Sequence, residues 1–164
     1  MIVEGYAALF GVPDQMRDVV RAGAFAASLR RGGGKLPMLV EHEARLIAGE
    51  WCEAHEDSRG LFLRGEIRAD QPGAARAKRM IARGGDGLSI GFVPVVQHRT
   101  AAGRVLSEIE LLEVSIVTHP MQPLARRRAR AVPNGVRPDA RPDATFAGRT
   151  QARLTLAREF IRAA

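Results

Sequence analysis

The sequence predicts a mainly β fold with helices (α+β), in which a closed antiparallel β-barrel is flanked by helices. Short apolar segments, several of them alternating with a period of two, recur along residues 1–119. Few of the gaps between these segments have helical periodicity, so most neighbouring strands are joined by turns. This pattern is typical of a mostly antiparallel sheet rolled into a barrel, with helices on its outside.

At least six segments are predicted as strands because they are apolar or alternating and turn residues separate them. In chain order they are residues 2–10, 36–40, 46–52, 60–68, 88–97 and 105–117, with a short further strand at 18–21. The alternation is clearest in 60–68, where Leu61, Leu63 and Ile67 share one parity. A linker at 100–103 joins the last two strands as a hairpin.

Two helices are predicted between these strands. The first, 24–31, has apolar residues four positions apart and is followed by three glycines that end it. The second, 72–83, begins with a proline, which suits the first helical turn. Its last turn carries cations, which the helix dipole favours there, and two glycines follow.

Charge divides the chain into a balanced body and a basic tail. Residues 1–119 hold 15 Lys+Arg and 15 Asp+Glu, whereas residues 120–164 hold 10 Arg and 3 Asp+Glu. Clustered arginines and prolines predict a basic, flexible linker over 126–148. Helical spacing returns after it, which predicts a C-terminal helical segment over 149–164.

Apolar runs, the first residues and the cysteine count together predict the cellular compartment. No apolar run approaches the roughly 20 residues that span a bilayer. The first residues lack the basic and apolar regions of a secretory signal. Cys52 is the single cysteine, which excludes an internal disulfide, and we expect it to be buried as a small apolar residue. A reducing, cytoplasmic location is therefore expected.

A glycine-rich stretch at 84–92 contains a candidate nucleophile. Leu88 and Ile90 share one parity of the strand, so Ser89 projects from the other face. Gly91 has no side chain on that face, so a substrate backbone could approach the Ser89 hydroxyl closely.

A hydrolase that uses a serine also needs a base and a group that holds this base. His42 is the candidate base because it stands where an apolar strand meets a polar turn. Glu113 is the candidate acid because it interrupts an apolar run, where a carboxylate is costly without a partner. On the residues alone each has an ordinary alternative. Ser89 and His42 could be solvated at strand ends, and Glu113 could face outward.

Several short motifs occur in a fixed order along residues 2–125. They are Gly23-Ala24-Phe25 with Ser28-Leu29, Pro37-Met38-Leu39-Val40-Glu41-His42, Ile47-Ala48-Gly49, Gly60-Leu61, Leu88-Ser89-Ile90-Gly91-Phe92 and Leu112-Glu113-Val114-Ser115-Ile116-Val117-Thr118-His119-Pro120. In order and spacing they resemble the prohead (capsid maturation) proteases of HK97-type tailed phages, with relatives in prophages and gene transfer agents. That family is similar to the herpesvirus assemblin proteases, whose fold is a closed β-barrel edged by helices.

The resemblance implies a serine endopeptidase. The family's serine falls on Ser89 and its histidine on His42. The acid of its Glu-Val-Ser motif falls on Glu113, our choice for the third member. In the assemblin relatives a second histidine fills that role, which makes His119 the alternative. The oxyanion is expected to be held by backbone N–H groups of residues 121–125, and no cofactor or metal is implied.

The resemblance also implies the setting of the reaction. The substrate is the scaffold-like delta region of the major capsid protein, cleaved inside the assembling procapsid in the host cytoplasm. Residues 1–125 are then the protease domain, and a homodimer or a higher oligomer is expected. The basic tail could bind an acidic scaffold region, could be a substrate for self-cleavage, or could be no more than a solvated linker.

Two other classes of function compete with this hypothesis. A metal hydrolase would find ligands in four histidines and one cysteine, but no histidine pair has the spacing of a zincin helix and no Cys-x-x-Cys occurs. A non-catalytic module that binds scaffold or nucleic acid would act through the basic tail. However, only 5% of the residues are aromatic, which leaves the body without a stacking platform, so nucleic acid is not an expected partner.

Overall fold

The computed structural model of the chain describes residues 1–33, 35–128 and 155, which contain seven strands and two helices. In chain order they are β1 Ile2–Leu9, β2 Asp18–Val20, α1 Ala26–Gly32, β3 Leu36–Val40, β4 Glu43–Glu56, β5 Gly60–Ile67, α2 Ala74–Ala82, β6 Gly87–Thr100 and β7 Gly103–Val117. Every predicted strand and both predicted helices of the body are present, and β4 and β6 are longer than predicted. Two predicted segments lie outside the described residues. They are the part of the linker beyond Arg128 and the C-terminal helical segment 149–164, of which only Thr155 is described.

The long strand β7 organises the sheet. One of its edges pairs antiparallel with β6 along most of its length. Its other edge pairs parallel with β2 near its start and parallel with β3 near its end. β4, β5 and β1 follow β3 in antiparallel pairs, so the order is β1-β5-β4-β3-β7-β2, with β6 on the opposite edge of β7. The C-terminal half of β7 is therefore covered on both edges and buried.

The predicted closure of the barrel is wrong. Among the described residues the sheet is curled but open, because β1 pairs only with β5 and β6 only with β7. The sheet is mostly antiparallel, as predicted, but the pairs β2–β7 and β3–β7 are parallel. Alternation along a strand indicates which side chains face the core, but it does not specify which strand lies alongside or in which direction.

Residues 125–128 lie in the opening between β1 and β6. Their carbonyl groups accept hydrogen bonds from the backbone N–H groups of Tyr6 on β1 and Leu88 on β6, at 3.1 and 3.0 Å. Gly5 permits this close approach, because a Cβ there would overlap the carbonyl oxygen of Arg126. The bridges to both strands are isolated, so this segment narrows the opening without extending the sheet.

Gln122 holds the segment that follows β7 against β1. Its side-chain amide accepts a hydrogen bond from the Leu9 N–H at 2.5 Å and donates to the carbonyl groups of Leu9 and Val12 at 3.0 and 2.8 Å. The Gln122 side chain is buried, so losing it would leave backbone groups unsatisfied. The segment is thereby fixed in place beside the site described below.

The concave side of the sheet encloses the hydrophobic core, with Trp51 and Phe25 among its largest fully buried side chains. Cys52 is exposed, so its predicted burial is wrong. The reason is the strand period, because Trp51 faces the core and its neighbour must face outward. In the part of the chain that the structure describes, no helix combines the length and the apolar character needed to cross a membrane.

Candidate active site

His42 lies in a two-residue turn between β3 and β4. Val40 and Glu43 pair across this hairpin. Glu41 and His42 have φ angles of 51° and 58°. A type I′ hairpin turn needs positive φ at both central residues, which residues other than glycine adopt at a cost of about 1–2 kcal/mol each. The Glu41 carboxylate helps to offset this cost, because it accepts hydrogen bonds from the Thr118 N–H and hydroxyl at 2.9 and 2.6 Å.

Ser89 and Glu113 lie on one face of the β6–β7 pair. Ser89 is the register partner of Ser115, and Gly91 is the register partner of Glu113. Residues two apart on a strand share a face, so these four residues form a polar patch on a sheet whose other face carries core residues such as Leu88. Ser89 is 4% exposed and Glu113 is 2% exposed.

Ser89, His42 and Glu113 form a continuous hydrogen-bonded chain. The Ser89 Oγ lies 3.0 Å from His42 Nε2, and His42 Nδ1 lies 2.6 Å from Glu113 Oε1. If Nδ1 carries the proton that faces the carboxylate, Nε2 is free to accept the proton of the serine hydroxyl. The arrangement therefore has the geometry that attack by a base-activated hydroxyl requires.

The environment of His42 favours its charged form. Burial has the largest effect on its pKa and lowers it, because an imidazolium is poorly solvated in this half-buried position. The hydrogen bond and the charge of Glu113, together with the charge of Glu41, raise the pKa by more than burial lowers it. The pKa of His42 therefore lies above the ordinary value of histidine, and the imidazolium formed by proton uptake is stabilised.

Ser115 closes the chain of contacts into a ring. Its fully buried hydroxyl donates to Glu113 Oε2 at 2.7 Å and accepts from the backbone N–H of His42 at 3.0 Å. One carboxylate oxygen thus contacts the His42 ring, while the other is linked through Ser115 to the His42 backbone. The carboxylate and the imidazole cannot shift independently. Sequence reasoning missed Ser115, although its shared parity with Glu113 was an available signal.

Gly91 makes room for the Glu113 carboxyl group. A Cβ at position 91 would lie 2.9 Å from Glu113 Cδ and would overlap Oε1. The sequence-based interpretation, in which this glycine lets a substrate approach Ser89, is therefore wrong. The reason is the register, because the side chain of the cross-strand partner occupies the space that the missing Cβ leaves.

His119, the alternative third residue, is not part of the hydrogen-bonded ring that joins His42, Glu113 and Ser115. It follows the end of β7, its side chain is exposed, and it makes no hydrogen bond or ion pair with the residues that the structure places. Over the same residues, no group of three or more His, Cys, Asp or Glu side chains is arranged to hold a metal ion.

A cleft of about 640 Å³ opens beside Ser89, His42 and Glu113. Its walls come from β1, β6, β7 and the segment after β7, and residues in and before β2 line another part of it. Large apolar side chains in the lining include Val20, Ile90, Phe92, Leu106 and Leu112. Ser89 is therefore part of the lining of a concave and mostly apolar surface.

Comparisons with known proteins found a family model, a curated relative and a solved structure that this chain is similar to. The family model described as "Caudovirus prohead serine protease" matches residues 1–134. The prohead protease of Enterobacteria phage HK97 is 34% identical over 124 residues, which are 73% of this chain and 55% of the phage protein. The chain thus spans about half the length of the curated relative it matches. A crystal structure of KSHV protease with a hexapeptide phosphonate inhibitor is similar with a TM-score of 0.46 and 16% identity, over 74% of this chain and 60% of that one.

Proposed function

Because the chain belongs to the caudovirus prohead serine protease family, we propose that it is a serine endopeptidase that cleaves the scaffold (delta) region of the major capsid protein during procapsid maturation. The observation that carries this proposal is the hydrogen-bonded chain from Ser89 through His42 to Glu113. In it Ser89 is the nucleophile, His42 is the general base and Glu113 orients and stabilises the imidazolium.

The proposed reaction proceeds through an acyl-enzyme. The Ser89 Oγ forms a bond to the scissile carbonyl carbon while its proton moves to His42 Nε2. His42 returns this proton to the amine nitrogen as the carbon–nitrogen bond breaks. A water molecule then attacks the ester, gives its proton to His42, and the acid product leaves as Ser89 is protonated again. We assign the oxyanion to backbone N–H groups within residues 121–125, a segment that also contributes Met121 and Gln122 to the cleft.

The proposal places the reaction inside the assembling procapsid in the host cytoplasm. The partners are the major capsid protein with its scaffold region and a second copy of this chain, in a homodimer or a higher oligomer. Residues 1–125 form the protease domain, and the basic tail is a second substrate through self-cleavage. The excess of arginine over acidic residues beyond position 119 supports contact with an acidic scaffold region.

Incubation of the full chain with its cognate major capsid protein tests the proposed function. Mass spectrometry is expected to show cleavage that separates the scaffold region from the rest of the capsid protein. A fluorophosphonate is expected to label Ser89 and to stop this cleavage, whereas EDTA leaves its rate unchanged. Cleavage that EDTA abolishes and the fluorophosphonate spares would overturn the assignment in favour of a metal hydrolase.

Replacing Ser115 with alanine is expected to lower kcat by about 10–100-fold with little change in KM, because a buried carboxylate loses a donor and the His42 backbone loses an acceptor. Loss of this donor also concentrates negative charge on Glu113. The pKa of His42 then rises further, so the acidic limb of the pH profile of kcat/KM is expected to move to higher pH.

Ser28→Ala is the matched control for Ser115→Ala. Ser28 is equally buried and accepts a hydrogen bond from the Leu111 N–H at 2.9 Å, but it does not contact the site. Its loss is expected to lower the free energy of unfolding and to leave the pH profile unchanged. An identical pH profile in Ser115→Ala and the wild type would contradict a positioning role for Ser115.

Gly91→Ala is expected to lower kcat by about 10²-fold or more. The added methyl group must displace the Glu113 carboxyl group from His42, and a misplacement of about 1 Å in a catalytic group can cost this much. Steady-state cleavage assays measure the loss, and urea unfolding separates it from global destabilisation. Full activity in a stably folded Gly91→Ala chain would show that the carboxylate position is not critical.

A further inference from the structure

Beyond Ser89, the edge of β6 that faces away from β7 has no strand partner among the described residues. The Leu88 N–H points away from β7 and donates to a carbonyl group of the segment in the β1–β6 opening. The carbonyl group of Ile116, the register partner of Leu88, accepts instead from the Glu41 N–H on the β3 side. Hydrogen bonding alternates along an antiparallel pair, so the N–H and C=O of Ile90 also face the β1–β6 opening. An extended peptide can therefore add to β6 one residue from Ser89.

The cleft provides space for side chains of such a peptide. On the β1 side its wall consists of Ala7 and Ala8, whose short side chains leave the space between β1 and β6 unfilled. On the β6 side it consists of Ile90 and Phe92, which are only partly buried in the free chain. Met16, at 71% exposed, lies at the rim. Covering these apolar surfaces would stabilise a complex.

The polar side chains of the cleft already have partners within the chain. The Asp18 carboxylate forms an ion pair with Arg104, and Glu43 forms ion pairs with Arg45 and Arg76. Asp14 accepts hydrogen bonds from backbone N–H groups in its own loop at 2.8 Å. As described above, Glu41 and Gln122 are also engaged. An acidic substrate side chain would therefore lose hydration beside several carboxylates without gaining a free cation.

We infer that this cleft is a binding site for a large apolar side chain of the substrate, at a position within three residues of the scissile bond. The inference rests on the proposed function and specifies its substrate class. The peptide backbone lies along Ile90, and its Leu, Ile, Met, Val or Phe side chain enters the space between Ala7–Ala8 and Phe92. The occupant is a substrate peptide, because the cleft is continuous with the Ser89 hydroxyl.

A peptide library derived from a digested proteome tests the inference with the full chain. Mass spectrometry of the new termini gives the residue preference at each position around the cleaved bonds. We expect large apolar residues to be favoured at least about tenfold over acidic residues at one position. Equal cleavage with acidic and apolar residues at all three positions on either side would overturn the inference.

Phe92→Ala is the variant that connects this preference to the cleft. It is expected to lower kcat/KM for peptides with Leu at the selected position by about 10–100-fold, and to shift the preference towards Phe and Trp, which fill the enlarged space. Val95→Ala is the matched control, because Val95 lies on the same strand, is 52% exposed and does not line the cleft. An unchanged preference in Phe92→Ala would overturn the assignment of the cleft.

Photo-cross-linking identifies the occupant. The Ser89→Ala chain with p-benzoylphenylalanine in place of Met16 is irradiated with the capsid protein. We expect cross-links to capsid peptides that contain a large apolar residue. Cross-links confined to residues 1–128 of a second copy would overturn the inference. Failure of the proposed function can be distinguished from failure of this inference. In that case the wild-type chain would cleave no peptide and would not react with a fluorophosphonate at Ser89.

Discussion

Ser89→Ala is expected to lower the rate of capsid-protein cleavage by about 10⁵–10⁶-fold, to the limit of detection. The methyl group cannot attack a carbonyl carbon, and a residue that forms the covalent intermediate has no substitute in the site. The fold is expected to survive, because the change removes a single hydrogen bond to a His42 ring that is 33% exposed. Such a loss costs about 1 kcal/mol or less of the free energy of unfolding. Gel-based cleavage assays and urea unfolding measure the two quantities on the same preparation.

A second serine of the hairpin provides the control for Ser89→Ala. Ser107 lies on β7, is half-buried and does not line the cleft. Ser107→Ala is expected to retain wild-type cleavage and fluorophosphonate labelling, whereas Ser89→Ala loses both. Undiminished cleavage by Ser89→Ala would refute the assignment of the nucleophile.

Glu113→Gln is expected to lower kcat by about 10²–10⁴-fold with little change in KM. The amide is close in size to the carboxylate but cannot stabilise the imidazolium by charge, and its NH₂ group can select the wrong histidine tautomer. The pH dependence changes as well. The Glu113 charge is one of the groups that raise the pKa of His42, while burial lowers it. Without that charge the pKa falls, so the acidic limb of kcat/KM is expected to move to lower pH.

Glu110 offers a matched control for Glu113→Gln on the same strand. Its carboxylate pairs with Arg31 and accepts from the Ser28 hydroxyl, away from the cleft. Glu110→Gln is expected to leave both kcat and the acidic limb unchanged. If Glu113→Gln behaved like this control, and His119→Ala instead lost activity, the third role would belong to His119.

Local pattern was sufficient to locate most of the secondary structure. The strand Gly60–Ile67 is predicted from the alternation of its apolar residues, and the helix Ala74–Ala82 from a proline before it and cations near its end. Both signals come from residues within a few positions of one another. The strands β4 and β6 exceed their predicted bounds because pairing with a long neighbour continues after the local apolar signal has ended. Closure of the sheet and parallel pairing along β7 depend on contacts between distant segments, and local pattern carries no information about them.

The three candidate groups Ser89, His42 and Glu113 could be identified without coordinates. A serine among glycines, a histidine at a strand end and an acid in an apolar run are recognisable where they stand, because each breaks its local pattern. How these groups come into contact depends on the three-dimensional fold. The register of β6 on β7 directs Glu113 into the space above Gly91, and the β3–β4 turn brings His42 to Ser115. Register and turn placement follow from packing between residues 47 to 73 positions apart, which no local periodicity encodes.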